Sequence, residues 1–280
     1  MANLILSAFA DEHSNAFENQ VKYLANNNVD YIELRFVDGK NVSELSDKEI
    51  ASAIRILKDY DMGVSAIGSP LGKINVADDF GTHLDKTKRV CEIANKFGTK
   101  NIRMFSFYMP EGTTRDMCKN EITDRIGKML DVSDEFGTTL CHENEAKIYG
   151  ESPDNCLELI NCFNGRLKAV FDMGNFVLDG YNPYDAFNLL KNHIEYFHLK
   201  DALKKGAIVP PGKGEAQIQL ILDAYICEFS KDTFVTLEPH LQTFDGLNQL
   251  VGKTFDNPYK FETKEIAFDT ALKSIKEILK

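Results

Sequence analysis

The 280-residue chain lacks a long hydrophobic run and lacks an excess of basic residues. No stretch approaches the ~20 consecutive apolar residues that span a bilayer, so we expect no membrane segment. The 32 lysines and arginines stand against 43 aspartates and glutamates, which gives a formal net charge of −11. Such a charge repels a phosphate backbone, and we therefore expect neither nucleic acid nor a membrane as a partner.

The six cysteines are scattered, and none forms a CxxC pair or a zinc-like spacing. Isolated thiols of this kind are typical of reduced residues in a cytosolic protein. The first residues, MANLILSAFADEHSN, have no basic region and reach Asp11 and Glu12 too early for a secretion signal. We expect a cytoplasmic protein whose first strand lies in this segment.

No linker or low-complexity tract divides the chain, and short apolar runs recur about every thirty residues along it. Eight of these runs are predicted as strands: Leu4–Phe9, Tyr31–Arg35, Gly63–Ile67, Asn101–Phe107, Thr138–Glu143, Leu167–Phe171, Tyr196–Leu199 and Thr233–Leu237. Segments with helical periodicity follow them: Ala16–Asn27, Asp47–Tyr60, Gly81–Phe97, Thr114–Phe136, Pro153–Phe163, Tyr184–Leu190, Ala216–Phe229 and Lys264–Leu279. Strands that alternate with helices pair in parallel, and eight such units close into a barrel. The sequence thus predicts an α/β protein, a single-domain (β/α)8 TIM barrel over residues 1–280.

Helix-capping signals agree with this division. Ser46 precedes Glu49 by three residues, which is the capping-box spacing, and Pro183 follows Asn182 at a helix start. Gly98 and Gly137 stand where helices end. The competing fold, a doubly wound open sheet, usually has a GxGxxG loop after its first strand, and that position reads FADEHSN here.

One acidic or imidazole side chain ends each of the last four predicted strands. These residues are Glu143, Asp172, His198 and Glu238, in TTLCHENE, KAVFDMGN, EYFHLKDA and FVTLEPHL. Buried carboxylates that converge need a counter-charge, and the first half of the chain offers too few basic strand-end residues to supply it. We therefore predict one divalent metal ion on these four residues. Three carboxylates with one imidazole favour Mn²⁺, with Mg²⁺, Co²⁺ or Zn²⁺ as alternatives.

The chain resembles the xylose isomerase-like superfamily, which includes ketose 3-epimerases, inosose dehydratases and endonuclease IV-type enzymes. AFADE, YIELR, GSPLGKI, HENEAKIYG, FDMGNF, FHLKDA, VPPGKGE and LEPH carry the resemblance. It implies that the four strand-end residues bind the metal. It also implies that Glu143 and Glu238 act as an acid/base pair, which removes and returns a proton α to a carbonyl through a metal-stabilised enediolate.

The resemblance implies a sugar, sugar phosphate or cyclitol isomerase or epimerase with a small-molecule substrate, and it leaves a homo-oligomer open. A keto-cyclitol or keto-sugar dehydratase on the same site is the nearest alternative. An endonuclease IV-like repair enzyme fits less well, because its trinuclear zinc site needs additional histidine ligands, and three of the six histidines, His13, His83 and His193, lie outside any suitable strand end. A barrel that binds sugar without turning it over remains a further alternative.

Further polar residues near the strand ends are candidates for substrate binding: Asn175, Lys200, Glu145, His240 and Arg35. Lys200 and Glu145 follow His198 and Glu143 by two residues, so each shares a strand face with its predecessor. Epimerases of this superfamily often carry a histidine at the position of Asn175. An ion pair with a neighbouring acid is the alternative role for Lys200, and buried pairing with a glutamate is the alternative for Arg35. The long connections 201–215 and 239–262 are expected over the site.

Overall fold

Eight parallel strands form the centre of the molecule, and the computed structural model describes residues 2–241 and 259–280. The strands are β1 (Leu4–Ala8), β2 (Tyr31–Leu34), β3 (Gly63–Leu71), β4 (Asn101–Met104), β5 (Thr139–Glu143), β6 (Lys168–Asp172), β7 (Ile194–Leu199) and β8 (Thr233–Leu237). Each strand from β2 to β7 pairs in parallel with the next one in the chain, and β8 also pairs with β1. β1 and β2 lie side by side and bring the sheet close to a full ring. The predicted TIM barrel is confirmed.

Helices connect the strands around the outside of this ring. They are α1 (Phe17–Asn26), α2 (Asp47–Asp59), α3 (Gly81–Phe97), α4 (Arg115–Phe136), α5 (Pro153–Asn161), α6 (Met173–Leu178), α7 (Pro183–Leu190), α8 (Ile218–Glu228) and α9 (Lys264–Ile278). Ser46 and Glu49 form the predicted capping box of α2, and Asn182 caps α7. Gly98 and Gly137 end α3 and α4 in the left-handed conformation. Local sequence signals therefore fixed these helix ends.

Several boundaries differ from the prediction. Strand β3 continues to Leu71, whereas β4 ends at Met104 rather than Phe107. The backbone turns after Met104, where Phe105 donates to the Leu71 carbonyl and Phe107 takes a left-handed φ of 65°. The prediction also missed α6, because the FDMGNF segment reads as a polar turn. Asp172 caps this helix by accepting from the Asn175 amide at 2.8 Å.

Two layers of apolar packing hold the fold together. The larger one lies between the strands and the helices and includes Phe17, Ile126, Phe171, Phe197 and Phe268, all nearly or fully buried. The smaller one fills the barrel interior with Ala66, Cys141, Val170 and Tyr196, against which Phe234 packs. Towards the carboxyl ends of the strands, the interior becomes polar and forms the candidate site.

The long connection after β7 lies at that same end. Residues 201–215 form a loop that includes a short antiparallel ribbon between Asp201–Ala202 and Ile208–Val209. The connection predicted over 239–262 falls largely outside the described residues. None of the described helices has both the length and the apolar character needed to cross a membrane.

Candidate metal centre

Glu143, Asp172, His198 and Glu238 converge at the carboxyl ends of β5 to β8. One ligand atom from each lies within 4.8 Å of all the others, and all four side chains are buried. Glu143 and Asp172 are the last residues of β5 and β6, and Asp172 stands in register with His198 of β7. Because side chains alternate along a strand, each of these residues points into the barrel.

The donor geometry fits a divalent cation. His198 Nδ1 lies 2.9 Å from Glu143 Oε1 and 3.4 Å from Glu238 Oε2. Glu143 Oε2 and Glu238 Oε2 are buried and accept no well-aligned hydrogen bond. Their nearest permanent cations, Arg103 at 3.3 Å and Lys200 at 3.2 Å, form ion pairs without hydrogen-bond alignment, so a metal ion would give both oxygens a closer partner.

Basic side chains also reach the cluster, which corrects the expectation that the first half of the chain supplies too few. Lys200 Nζ lies 2.8 Å from Asp172 Oδ2 and 3.2 Å from Glu238 Oε2. Arg35 contacts Glu238 Oε1 at 2.9 Å, and Arg103 lies 3.3 Å from Glu143 Oε2. The arginines come from β4 and the end of β2, across the barrel, and their long side chains bring the guanidinium groups to the centre.

The charge balance still favours a metal. The network contains five buried carboxylates, those of Glu12, Glu33, Glu143, Asp172 and Glu238. Its permanent cations are the three side chains of Arg35, Arg103 and Lys200. Asp11 also pairs with Arg35 at 2.9 Å, so carboxylates outnumber these cations, and a divalent ion would reduce the excess of negative charge.

The pKa values follow from this crowding. Burial acts to raise the pKa of Glu143, but His198 and Arg103 outweigh it and lower that pKa to about 2. Lys200, His240 and His198 likewise hold the pKa of Glu238 well below its usual range against the effect of burial. Burial raises the pKa of Asp172 to about 7 despite the nearby Lys200. The pKa of His198 is raised because Glu143 and Glu33 outweigh its desolvation.

Four of the five predicted substrate-binding residues border the cluster. Lys200 Nζ also donates to Asn175 Oδ1 at 3.0 Å, and the Asn175 amide group donates to the Asn144 carbonyl at 2.8 Å. His240 Nε2 lies 3.5 Å from Glu238 Oε1 and 3.4 Å from the Arg35 guanidinium. Arg35 thus forms the buried pairing with glutamate that was its alternative role, and Lys200 forms ion pairs.

Glu145 lies apart from these residues, at the rim of the barrel. Its carboxylate pairs with Lys73 at 3.0 Å, and both side chains are about one-third exposed. The Lys73 ammonium also stands over the Phe105 ring, 4.1 Å from its centroid. The structure therefore places Glu145 in an ion pair that links the loops after β3 and β5, outside the group of four.

Sequence reasoning missed two acidic neighbours of the cluster. Glu12 lies in a 3-10 turn after β1, where it contacts Arg35 at 3.2 Å and accepts from the His240 amide at 2.7 Å. Burial raises the pKa of Glu12 to about 8. Glu33, in β2, lies 3.2 Å from His198 Nε2. The AFADE and YIELR motifs contain both residues, and those motifs were the available signal.

A second acidic group, Glu12, Glu238 and His240, also has atoms close enough for a metal. Arg35 contacts all three side chains, so this space already contains a cation.

Three other histidines have partners outside the cluster. His142 lies on the other face of β5 and contacts Ser106, and His83 accepts from the Gly72 amide. His13 stacks on Tyr23. These contacts are unlike the histidine-rich trinuclear zinc site of endonuclease IV-type enzymes.

The profile of the xylose isomerase-like TIM barrel family matches residues 21–240. The chain belongs to this family. None of the curated proteins matches its sequence.

Solved structures share the fold at low sequence identity. The probable 3-DHS dehydratase AsbF of Bacillus anthracis, involved in petrobactin synthesis, is 19% identical, with a TM-score of 0.75 and 99% of each chain covered. The IOLI protein, which was solved with a bound zinc atom, is 17% identical, with a TM-score of 0.76 over 98% of this chain and 97% of that one. An L-ribulose 3-epimerase is 16% identical, with a TM-score of 0.73 over 100% and 95%. These neighbours include both reaction types that the sequence left open.

Proposed function

We propose that this chain is a divalent-metal-dependent isomerase or epimerase of a small sugar, sugar phosphate or cyclitol. The observation that carries the proposal is the convergence of Glu143, Asp172, His198 and Glu238, with two buried carboxylate oxygens that lack a hydrogen bond. A bound divalent cation, Mn²⁺ by preference, supplies electrostatic stabilisation of the negative charge that develops on substrate oxygens.

The protein side of the reaction is a proton transfer by Glu143 and Glu238. Their carboxylates approach His198 from different strands, β5 and the end of β8, and their low pKa values keep both ionised at neutral pH. A carboxylate is a suitable base only in this form. We assign the removal of the proton α to the carbonyl to one glutamate and its return to the other, with Asp172 and His198 as ligands only.

We assign substrate binding to Lys200 and Asn175, which contact each other beside Asp172, and to Arg35 and His240, which contact Glu238. Lys200 keeps its charge, because Asp172 and Glu238 outweigh desolvation and raise its pKa. A fixed ammonium attracts an anionic oxygen on the substrate. We also assign substrate binding to Glu145, which lies at the rim of the barrel in an ion pair with Lys73.

The test is isotope exchange and turnover on a panel of ketoses, sugar acids and inososes with Mn²⁺ present. Glu143→Gln and Glu238→Gln should each reduce product formation by about 10²–10⁴-fold, because each removes one acid/base group, and α-proton exchange with D₂O should fall in the variant that lacks the proton-removing glutamate. Glu228→Gln is the matched control, since Glu228 is an exposed surface residue paired with Lys191. Full turnover by either site variant with metal still bound would exclude the two-glutamate mechanism.

A keto-sugar or keto-cyclitol dehydratase is the second candidate, and Asn175 is the observation that favours it. Its amide is engaged by Asn144 and Lys200, and an asparagine, which does not ionise, differs from the substrate-contacting histidine that epimerases of this superfamily often carry there. Loss of a β-hydroxyl after removal of the same proton uses the same glutamates. Product mass separates the two reactions, since it is unchanged for isomerisation and lower by one water for dehydration.

We further propose that residues 1–280 form a single domain, that the protein is cytoplasmic and that it forms a homo-oligomer.

A further inference from the structure

Glu33 is a fully buried carboxylate beneath the candidate metal centre. It extends from β2 into the barrel, and its side chain has no exposed surface. Among the described residues, no lysine or arginine forms an ion pair with it. Its polar contacts are His198 Nε2 at 3.2 Å and the Tyr196 hydroxyl, which donates to Oε1 at 3.1 Å.

These contacts place two carboxylates on opposite nitrogens of one imidazole. Nε2 of His198 faces Glu33 Oε2, whereas Nδ1 faces Glu143 and Glu238. A carboxylate accepts hydrogen bonds and cannot donate when ionised, so Glu33 favours a proton on Nε2. Nδ1 faces Glu143 Oε1 at 2.9 Å, and a proton on Nδ1 is the one that a metal would replace, whereas Glu33 retains the proton on Nε2. Phe9 and Tyr196 contact the ring edge to face, at 5.1 and 5.5 Å between centroids, and limit its rotation.

We propose that Glu33, held by Tyr196, is a positioning residue that fixes the His198 tautomer and increases the metal affinity of the site. The inference rests on the proposed metal-dependent function. Glu33 is buried inside the barrel below the ligands and would act on the metal only through His198. A carboxylate behind a ligating histidine orients the ring and increases the basicity of the ligating nitrogen.

The test is a titration of the metal-stripped full chain with Mn²⁺ alone, with free Mn²⁺ measured by electron paramagnetic resonance. Glu33→Gln keeps the shape of the side chain but removes its charge. It should raise the Mn²⁺ dissociation constant by about 10–100-fold, and the number of Mn²⁺ ions bound per chain should stay the same. Tyr196→Phe removes only the hydroxyl that orients Glu33, so it should weaken binding by less, and it keeps the test open if Glu33→Gln does not fold.

Ser7→Ala is the matched control. Ser7 is fully buried in the barrel but bonds to Ser65 at 2.7 Å rather than to His198. Its loss should leave Mn²⁺ affinity unchanged even if it lowers stability. The visible absorption bands of bound Co²⁺ give a second measurement, and they should shift in Glu33→Gln but not in Ser7→Ala.

The outcomes separate this inference from the proposed function. If the unmodified protein binds no Mn²⁺, the metal site itself is wrong and the inference fails with it. If the unmodified protein binds Mn²⁺ while folded Glu33→Gln and Tyr196→Phe bind it equally well, the metal site stands and the role of Glu33 is refuted. Equal weakening by Ser7→Ala would also refute it, because the effect would then come from barrel packing.

Discussion

Replacement of Lys200 by methionine should destabilise the metal-free protein strongly. Lys200 is 5% exposed as a side chain and contacts Asp172 at 2.8 Å and Glu238 at 3.2 Å. Methionine keeps most of the volume but leaves both carboxylates without this ammonium. Removal of one partner of a buried ion pair costs about 3–5 kcal/mol, since the other charge stays buried.

That free energy converts into a shift of the melting temperature. An unfolding entropy of about 2.1 cal/mol/K per residue amounts to about 0.6 kcal/mol/K for 280 residues. A loss of about 3–5 kcal/mol then lowers Tm by about 5–8 °C. Differential scanning calorimetry in EDTA measures this shift in the absence of metal.

Lys231→Met is the matched control. Its ammonium lies 2.6 Å from Glu195, but the lysine side chain is 57% exposed. Exposed ion pairs contribute about 0–1 kcal/mol, so Tm should fall by less than about 2 °C. If Lys200→Met has the same Tm as the unmodified protein in EDTA, the ammonium does not compensate the buried carboxylates, and our account of the charge network is wrong.

Two further perturbations test regions outside the cluster. Asp201 accepts backbone N–H groups from Ala202, Gly212, Gly214 and Ala216, and Asp201→Asn replaces one acceptor oxygen by a donor. We expect the free energy of unfolding to fall by about 3–5 kcal/mol because of the hydrogen bonds lost. Tryptic cleavage at Lys204, Lys205 and Lys213 should become faster, and unchanged cleavage would contradict this role of Asp201. Burial lowers the pKa of His83 from 6.5 to about 4, so the folded protein resists a proton that the unfolded chain binds. The free energy of unfolding should therefore fall as the pH decreases below about 6.5. Between pH 7.5 and pH 5, His83→Gln should lose about 2 kcal/mol less of this free energy than the unmodified protein does, as measured by urea unfolding. Equal losses in both proteins would show that another group titrates.

Most of the fold was predictable because it depends on local patterns. The strand and helix rhythm, the capping box at Ser46 and the glycine ends at Gly98 and Gly137 act within a few residues of themselves. The end of β4 was not predictable in this way. It depends on the bond between Phe105 and the Leu71 carbonyl, two residues that are distant in sequence.

The candidate site shows the same division. Strand alternation predicts that Glu143, Asp172 and His198 point inwards, because this depends only on a period of two. The partners of Arg35 and Arg103 depend on how far a flexible side chain extends across the barrel, which no spacing encodes. Glu12 escaped notice because it follows β1 in a turn, where strand alternation no longer applies.

Arg103 and Lys200 have two opposing effects on metal binding at the site. Arg103 and Lys200 favour the ionised forms of Glu143 and Glu238, and a carboxylate must be ionised to bind a metal. The same cations occupy the oxygens that a metal would use, since Lys200 lies 3.2 Å from Glu238 Oε2 and Arg103 3.3 Å from Glu143 Oε2. The metal affinity therefore depends on the free energy of the metal–carboxylate contacts relative to that of the ion pairs that the metal would displace. Lys200→Met should accordingly gain more in Tm from saturating Mn²⁺ than the unmodified protein does, because the ion would replace a counter-charge that the variant lacks.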